Sequence, residues 1–213
     1  MAHADKAYLP AAGHDWALPF YDPITRLLGG DKVHGELLRQ AGIENNHRVL
    51  DIGCGTGTLV VALKQRFPGA EITGLDPDPK ALARARQKAE RARLSVRFEQ
   101  GFAGELPFAD SSFDRVLSSF MFHHLPAEQG EKMLRQVRRV LAPGGSLHLA
   151  DFTHPEHHGH GLSHLIHSSR HLSANSDDRI VGLMRDAGFA SASKITDGAM
   201  LFGLLHVSYY RAG

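Results

Sequence analysis

The run Val49-Leu50-Asp51-Ile52-Gly53-Cys54-Gly55-Thr56-Gly57 constrains this chain more than any other. Its first residues read as a buried strand. Three alternating glycines then make a turn, and a helical pattern follows over 59–67. Glycine tolerates backbone conformations closed to other residues and lets a ligand approach the main chain. The helix start after the turn offers free N–H groups to a carboxylate or phosphate. A second element completes the signal. Asp76 closes the apolar run Ile72-Thr73-Gly74-Leu75 and lies 19 residues beyond Gly57. At that spacing an acidic residue at the end of the next strand can hold ribose hydroxyls. A dinucleotide fingerprint would read Gly-x-Gly-x-x-Gly. Here Thr58 stands where its third glycine belongs, and the competing reading is a purely structural strand-to-helix turn, which the strand before the loop and Asp76 after it disfavour.

Around this motif, strand-like and helical runs alternate. Strands are expected over 48–52, 71–75, 95–99, 113–119 and 146–152. Helices are expected over 59–67, 79–93 and 127–141, the last ended by Pro143-Gly144-Gly145. Such alternation makes crossover units on a parallel sheet, with helices on both faces. After a helix over 177–187, the stretches 191–196 and 201–210 follow as two strands with no helix between them. Asp197-Gly198 is the expected hairpin turn. The expected architecture is therefore one α/β domain with a seven-stranded, mostly parallel sheet whose seventh strand is antiparallel. Residues 1–45 are an amino-terminal lead-in, 46–152 the strand–helix core and 176–213 the terminal helix and hairpin; the family resemblance given below implies a helical cap for 1–45 and an insertion over the substrate for 153–175.

Composition narrows the class. The chain has 213 residues, 42% hydrophobic and 22% charged, which suits one ordinary globular domain. Its single cysteine, Cys54, excludes an internal disulfide framework and a paired-cysteine zinc site. The start MAHADKAYLP lacks the features of a signal peptide, and no run approaches a membrane span. A soluble cytoplasmic protein is expected. A net charge of +1 drives it onto neither nucleic acid nor acidic lipid. The helix carrying Lys80, Arg84, Arg86, Lys88, Arg91 and Arg93 is basic but holds no aromatic for stacking bases, so it reads as a solvated outer helix.

The sequence resembles the class I S-adenosylmethionine-dependent methyltransferases, in particular the quinone and phospholipid methyltransferases. DIGCGTG and GLDPDP match the family's first two motifs. Gly104 to Phe108 with Asp110 to Asp114 matches the lead into the fourth strand. His123-His124-Leu125 and Leu141 to Gly145 match the segments beside the fourth and fifth strands. The resemblance covers about residues 45–152 and implies a Rossmann-like fold with S-adenosylmethionine as cofactor. It places Asp51, Gly53, Cys54, Gly55 and Gly57 at the methionine part. Asp76 falls at the ribose and Pro77 at the adenine. Phe102 and Ala103 fall at the adenine edge, where Phe102 departs from the usual Asp. Ser119 and Phe120 fall near the sulfonium. Tyr21, in the lead-in Phe20-Tyr21-Asp22-Pro23, covers the methyl site or packs on the sheet's flank.

The resemblance implies methyl transfer to a small-molecule acceptor, with no metal. His123 and His124 are the candidate general bases, His124 favoured, against a purely structural role for either. Cys54 reads as a small buried side chain rather than a reactive thiol. His157, His160, His164, His167 and His171 share one helical face. That stripe faces water, lines a substrate pocket or binds zinc or nickel. Two competing functions are a non-catalytic cofactor-binding regulator and an RNA or protein methyltransferase.

Overall fold

The computed structural model describes residues 18–153 and 177–213. Trp16 and the histidine stripe from His157 to His171 lie outside the described residues.

Two helices lead in, α1 (Leu18–Leu27) and α2 (Gly30–Ala41). The core follows as β1 (Arg48–Ile52), α3 (Thr58–Arg66), β2 (Glu71–Asp76), α4 (Pro79–Arg91), β3 (Arg97–Gln100) and β4 (Phe113–Ser119). A single 3-10 turn, Phe122–His124, precedes α5 (Ala127–Val140) and β5 (Leu141–Phe152). The chain ends with α6 (Asp177–Asp186), β6 (Ala192–Met200) and β7 (Leu205–Ala212). All seven strands join one sheet in the order β3-β2-β1-β4-β5-β7-β6. The pairs among β1 to β5 are parallel, and β7 runs antiparallel to both β5 and β6. This is the sheet expected from the strand–helix alternation.

Helix patterning assigns the two faces. Met133, Leu134, Val137 and Val140 recur at helical spacing on α5 and are fully buried. They pack with Leu50 and Ile52 of β1 and with Ile180 and Met184 of α6. Val33, Leu37 and Leu38 of α2 pack on the other face with Val49, Leu59, Val60, Leu63 and Leu82. Alternate residues of β1 thus feed opposite cores, as the period of a strand requires. α4 starts where Asp78 caps it, its carboxylate accepting the Lys80 N–H at 2.8 Å, with Pro79 in the first turn.

Two expectations are corrected. Asp197-Gly198 is not a turn; β6 runs through it and pairs Asp197 with Ser208 and Gly198 with Val207. The Ser208 hydroxyl donates to the Asp197 carboxylate at 2.8 Å, so the side chain that suggested a turn serves the ladder. A Cβ at Gly198 would lie 3.1 Å from the Tyr209 ring, a tight approach that the absent side chain relieves. The reversal comes at the 3-10 turn Leu201–Gly203, where Gly203 has a φ of 94° and the Leu201 N–H donates to the Leu28 carbonyl. The second correction is in β5, which starts at Leu141 rather than 146. Leu141 pairs with Phe113 and Ser146 with Arg115, and the irregularity between them absorbs Pro143-Gly144-Gly145.

Candidate active site

The strand order reverses between β1 and β4, and ligands in open α/β sheets bind at that point beyond the strands' carboxyl ends. A cavity of about 1180 Å³ opens there. One wall is the glycine loop with the ends of β2 and β3. The other is built from α1, α2, the end of β4 and the turn before α5.

The loop is tied to β2 by the N–H groups of Gly53 and Cys54, which both donate to the Leu75 carbonyl. Gly53, Gly55 and Gly57 all have positive φ, at 74°, 52° and 77°. Each glycine has its own reason. A Cβ on Gly53 would strike Met121 at 2.5 Å. One on Gly57 would strike the Ala85 methyl at 2.8 Å, so this glycine serves the approach of α3 to α4 and does not line the cavity. Gly55 meets nothing within 4 Å and lines the open space.

Asp76 is buried and organises this wall. One of its oxygens accepts the Gly55 N–H at 2.8 Å and the other accepts the Asp78 N–H at 2.9 Å. Burial raises its carboxyl pKa, and those two backbone donors pull part of the shift back. Asp51 is 1% exposed, and its Oδ1 has no hydrogen-bond partner. Burial and the neighbouring Asp76 carboxylate push it well above the ordinary carboxylate range. Cys54 is buried against Gly74, and burial pushes the thiol up as well, the environment of an inert small side chain. Pro77, Phe102 and Ala103 continue the wall, with no carboxylate at position 102.

On the opposite wall, Ser119 ends β4 and Phe120 follows it. Phe120 adopts a left-handed conformation, φ 54°, costly for an aromatic residue. Its N–H donates to the Ala150 carbonyl, and its ring stacks on Phe152 at 4.8 Å. The two candidate bases separate. His124 lines the cavity. His123 is not among the lining residues and is anchored from behind. Its Nδ1 lies 2.5 Å from Asp151 Oδ1, and its N–H donates to Asp151 Oδ2 at 2.8 Å. Asp151 is fully buried. The two imidazole rings lie 3.9 Å apart. Tyr21 falls in α1, and its side chain lies outside the described residues.

Two residues at this wall escaped the sequence, His34 in the cavity lining and Asp151 behind it. His34 of α2 lines the cavity, with Nε2 3.4 Å from the Ser119 hydroxyl. Its position in an amphipathic helix gave no signal. Asp151 did leave one: a lone carboxylate in the apolar run Leu147 to Phe152 is expensive to bury without a partner. No group of three or more potential metal ligands occurs among the described residues. No helix among them is long and apolar enough to cross a membrane.

An S-adenosyl amino acid fits the first wall on three observations. The Asp51 oxygen lacks a partner and suits an ammonium group, Gly55 leaves main chain open, and α3 begins without a side-chain cap. The comparisons with known proteins agree. A family profile described as a methyltransferase domain matches residues 49–145. The chain is 41% identical over 157 residues to a demethylmenaquinone methyltransferase of Thermus thermophilus, covering 72% of this chain and 70% of that one. It is 38% identical over 133 residues to the 27-O-demethylrifamycin SV methyltransferase of Amycolatopsis mediterranei, covering 62% of this chain and 46% of the relative. Among solved structures, a SAM-dependent methyltransferase from Aquifex aeolicus superposes with a TM-score of 0.69 at 19% identity, over 92% of this chain and 97% of that one.

Proposed function

The chain belongs to the S-adenosylmethionine-dependent methyltransferase family, and from that premise we propose that it methylates a small hydroxylated aromatic ring, with His124 as general base. That it is an enzyme moving methyl from S-adenosylmethionine to a small molecule follows from the family and its relatives. The acceptor class and the residue roles are the proposal. The observation that carries it is one cavity that has the Asp51 and Asp76 carboxylates on one wall and the His124 imidazole on the other. The name of one relative, a demethylmenaquinone methyltransferase, supports a ring acceptor, and that of another, a 27-O-demethylrifamycin SV methyltransferase, supports transfer to an oxygen.

Bound S-adenosylmethionine supplies a methyl group already activated by its positive sulfur. Asp76 is placed to take the ribose hydroxyls, because each of its oxygens has a lone pair beyond the one used by Gly55 or Asp78. Asp51 suits the ammonium, and Pro77 and Ala103 the adenine. Phe102 contributes surface rather than a hydrogen bond to the exocyclic amine. Ser119 and Phe120 complete the side from which the acceptor approaches. Much of the acceleration then comes from holding donor and acceptor in line.

A hydroxyl or enol acceptor must lose a proton, and His124, one of two imidazoles in the cavity wall with His34, is the one we assign to take it. His123 and Asp151 act from behind as positioning residues: the buried carboxylate fixes the His123 ring, which lies against that of His124 at 3.9 Å, tilted by 42°. The basic helix α4 has no part in this reading. Arg86 donates to the Phe98 carbonyl and Lys88 to the Thr58 hydroxyl.

The test is methyl transfer from labelled S-adenosylmethionine to a panel of naphthols, phenols, hydroquinones and primary amines. Label on hydroxyl oxygen or on ring carbon beside it is the expected result. Transfer to amines alone would overturn the ring-hydroxyl reading. In the His124→Gln enzyme, turnover on a naphthol should fall ~10²–10⁴-fold with cofactor affinity unchanged. The same loss in His123→Gln, with His124→Gln active, would move the base to His123.

A further inference from the structure

The order of the strands fixes which way an adenosyl cofactor lies in the cavity. The glycine loop follows β1, Asp76 ends β2 and residues 101–105 follow β3, side by side along one wall. An ammonium at Asp51 and a ribose at Asp76 point the adenine onward to residues 101–105. The polar edge of adenine carries two unlike groups together, an exocyclic amine that donates and a ring nitrogen that accepts. A wall that reads this edge must set an acceptor beside a donor.

The segment after β3 supplies the donor. The Ala103 and Gly104 N–H groups donate to no acceptor among the described residues. The acceptor beside them is missing from position 102, because the Phe102 side chain has no polar atom and its carbonyl takes the Glu105 N–H at 3.0 Å. Gln129 supplies an acceptor from another element. It is the third residue of α5 and lines the cavity with Phe102, Ala103 and Gly104. Its Oε1 lies 3.0 Å from the point where a Cβ on Gly104 would stand, so that glycine leaves the space the amide carbonyl fills. The start of the helix is held in place. The Gln129 N–H donates to the Pro126 carbonyl at 2.9 Å, and Gly130 lets α5 close on Phe122, whose ring would lie 3.0 Å from a Cβ there. Met133, Leu134 and Val137 anchor the helix in the core. Leu125 and Pro126 add apolar surface to the same part of the cavity.

We propose that Gln129 is a specificity-determining residue of the cofactor site, its Oε1 accepting a hydrogen bond from the exocyclic amine of the adenine while the Ala103 N–H donates to the ring nitrogen beside it. The proposal rests on the placement of the ribose at Asp76 given above and goes beyond it by assigning recognition of the base to a side chain of α5. A site that hydrogen-bonds a substituent selects against the analogue that lacks it, because its own polar group loses a partner. Gln129 is exposed, so water replaces part of what is lost, and the selection is smaller than a fully buried pair would give. Glu105, the carboxylate of the segment after β3, also lines the cavity and is the rival acceptor.

The test is calorimetric binding of S-adenosylhomocysteine and of its analogue in which hydrogen replaces the exocyclic amine. Wild type should bind S-adenosylhomocysteine about tenfold more tightly than the analogue. Gln129→Leu keeps the bulk and removes the carbonyl. It should bind both compounds alike, at the wild-type affinity for the analogue. Gln129→Glu keeps an acceptor and should keep the preference, and Glu105→Gln should leave it unchanged. Equal affinities in wild type, a preference that survives in Gln129→Leu, or a preference lost in Glu105→Gln would each overturn the proposal. Thermal unfolding of every protein is measured first. If Gln129→Leu does not unfold cooperatively, Gln129→Ala takes its place with the same expectations. Asp76→Ala separates the proposal from the ribose placement on which it rests. If Asp76→Ala weakens both compounds by one common factor, the ribose stays at Asp76, and a preference that survives in Gln129→Leu then counts against Gln129 alone. Unchanged binding in Asp76→Ala removes the ribose from Asp76 and overturns the proposal with it.

Discussion

Asp76 carries two duties that one substitution separates. Its oxygens already hold the Gly55 and Asp78 N–H groups, and they also face the cavity. Asp76→Ala should weaken cofactor binding by ~2 kcal/mol and also lower the melting temperature of the free protein, because two buried N–H groups lose their acceptors. Calorimetric titration and thermal unfolding check the two parts separately; weaker binding with an unchanged melting temperature would mean the loop does not depend on Asp76. Asp51 leads to a proton-linked effect. Burial and Asp76 raise its carboxyl pKa, so the folded apoprotein keeps a proton that the unfolded chain releases near 3.8. Its contribution to stability is full below that value and is lost as pH rises through the folded-state pKa. A ligand ammonium beside Asp51 reverses the shift, so binding should release a proton while Asp51 is protonated in the free protein. Titrations in buffers of different ionisation enthalpy should show that release, and Asp51→Asn should abolish it. A buffer-independent enthalpy in wild type at every pH from 5 to 8 would contradict the assignment.

At the level of elements, the parallel half was open to reading because each strand there is a short apolar run bounded by a turn signal. β1, β2 and β4 begin and end within a residue of the spans that periodicity suggests. The terminal hairpin was not, because Asp-Gly is a turn signal only when nothing else needs those residues. Here Asp197 bonds Ser208 across the ladder and Gly198 makes room for Tyr209, both long-range partners that a local pattern does not contain. Gly198→Val is therefore informative. In a true turn it would chiefly disturb the loop. In β6 it drives a branched side chain into the Tyr209 ring, whose hydroxyl reaches the Val33 carbonyl of α2. A destabilisation of ~1–3 kcal/mol is expected from overpacking. Chemical denaturation measures it. A neutral effect would mean that Tyr209 swings away freely and that the β7 to α2 contact carries little.

Across the whole molecule, the wall built from the glycine loop and Asp76 was legible from sequence, and the opposite wall only in Ser119, Phe120 and His124. The first depends on one contiguous loop and one carboxylate at a fixed spacing. The second is assembled from α2, the end of β4 and the end of β5, which bring His34, Phe120 and Asp151 together from distant parts of the chain. The same long-range assembly creates a pH sensitivity that no motif announces. His148 of β5 stands opposite Leu117 of β4 and Arg211 of β7 and is 1% exposed. Its Nε2 meets the Ser146 hydroxyl at 3.0 Å, and Nδ1 has no partner. Burial, with the charges of Arg211 and Arg115, lowers its pKa from 6.5 to about 3. The sign follows from proton counting. Between those values the unfolded chain binds a proton that the folded one refuses, so stability falls as pH drops below 6.5. The loss accumulates to roughly 4 kcal/mol by pH 3, a sizeable share of a domain's stability. Asp51 works in the opposite direction over the acid range, so the two residues must be separated by mutation. His148→Leu removes the titrating group and should flatten the acid limb of the stability curve between pH 6.5 and 4, although it forfeits the Ser146 bond and is less stable at pH 8. Urea denaturation across that range, compared with wild type and with Asp51→Asn, decides the matter. If His148→Leu loses stability on acidification as steeply as wild type, the buried imidazole is not the group that makes the fold acid-sensitive.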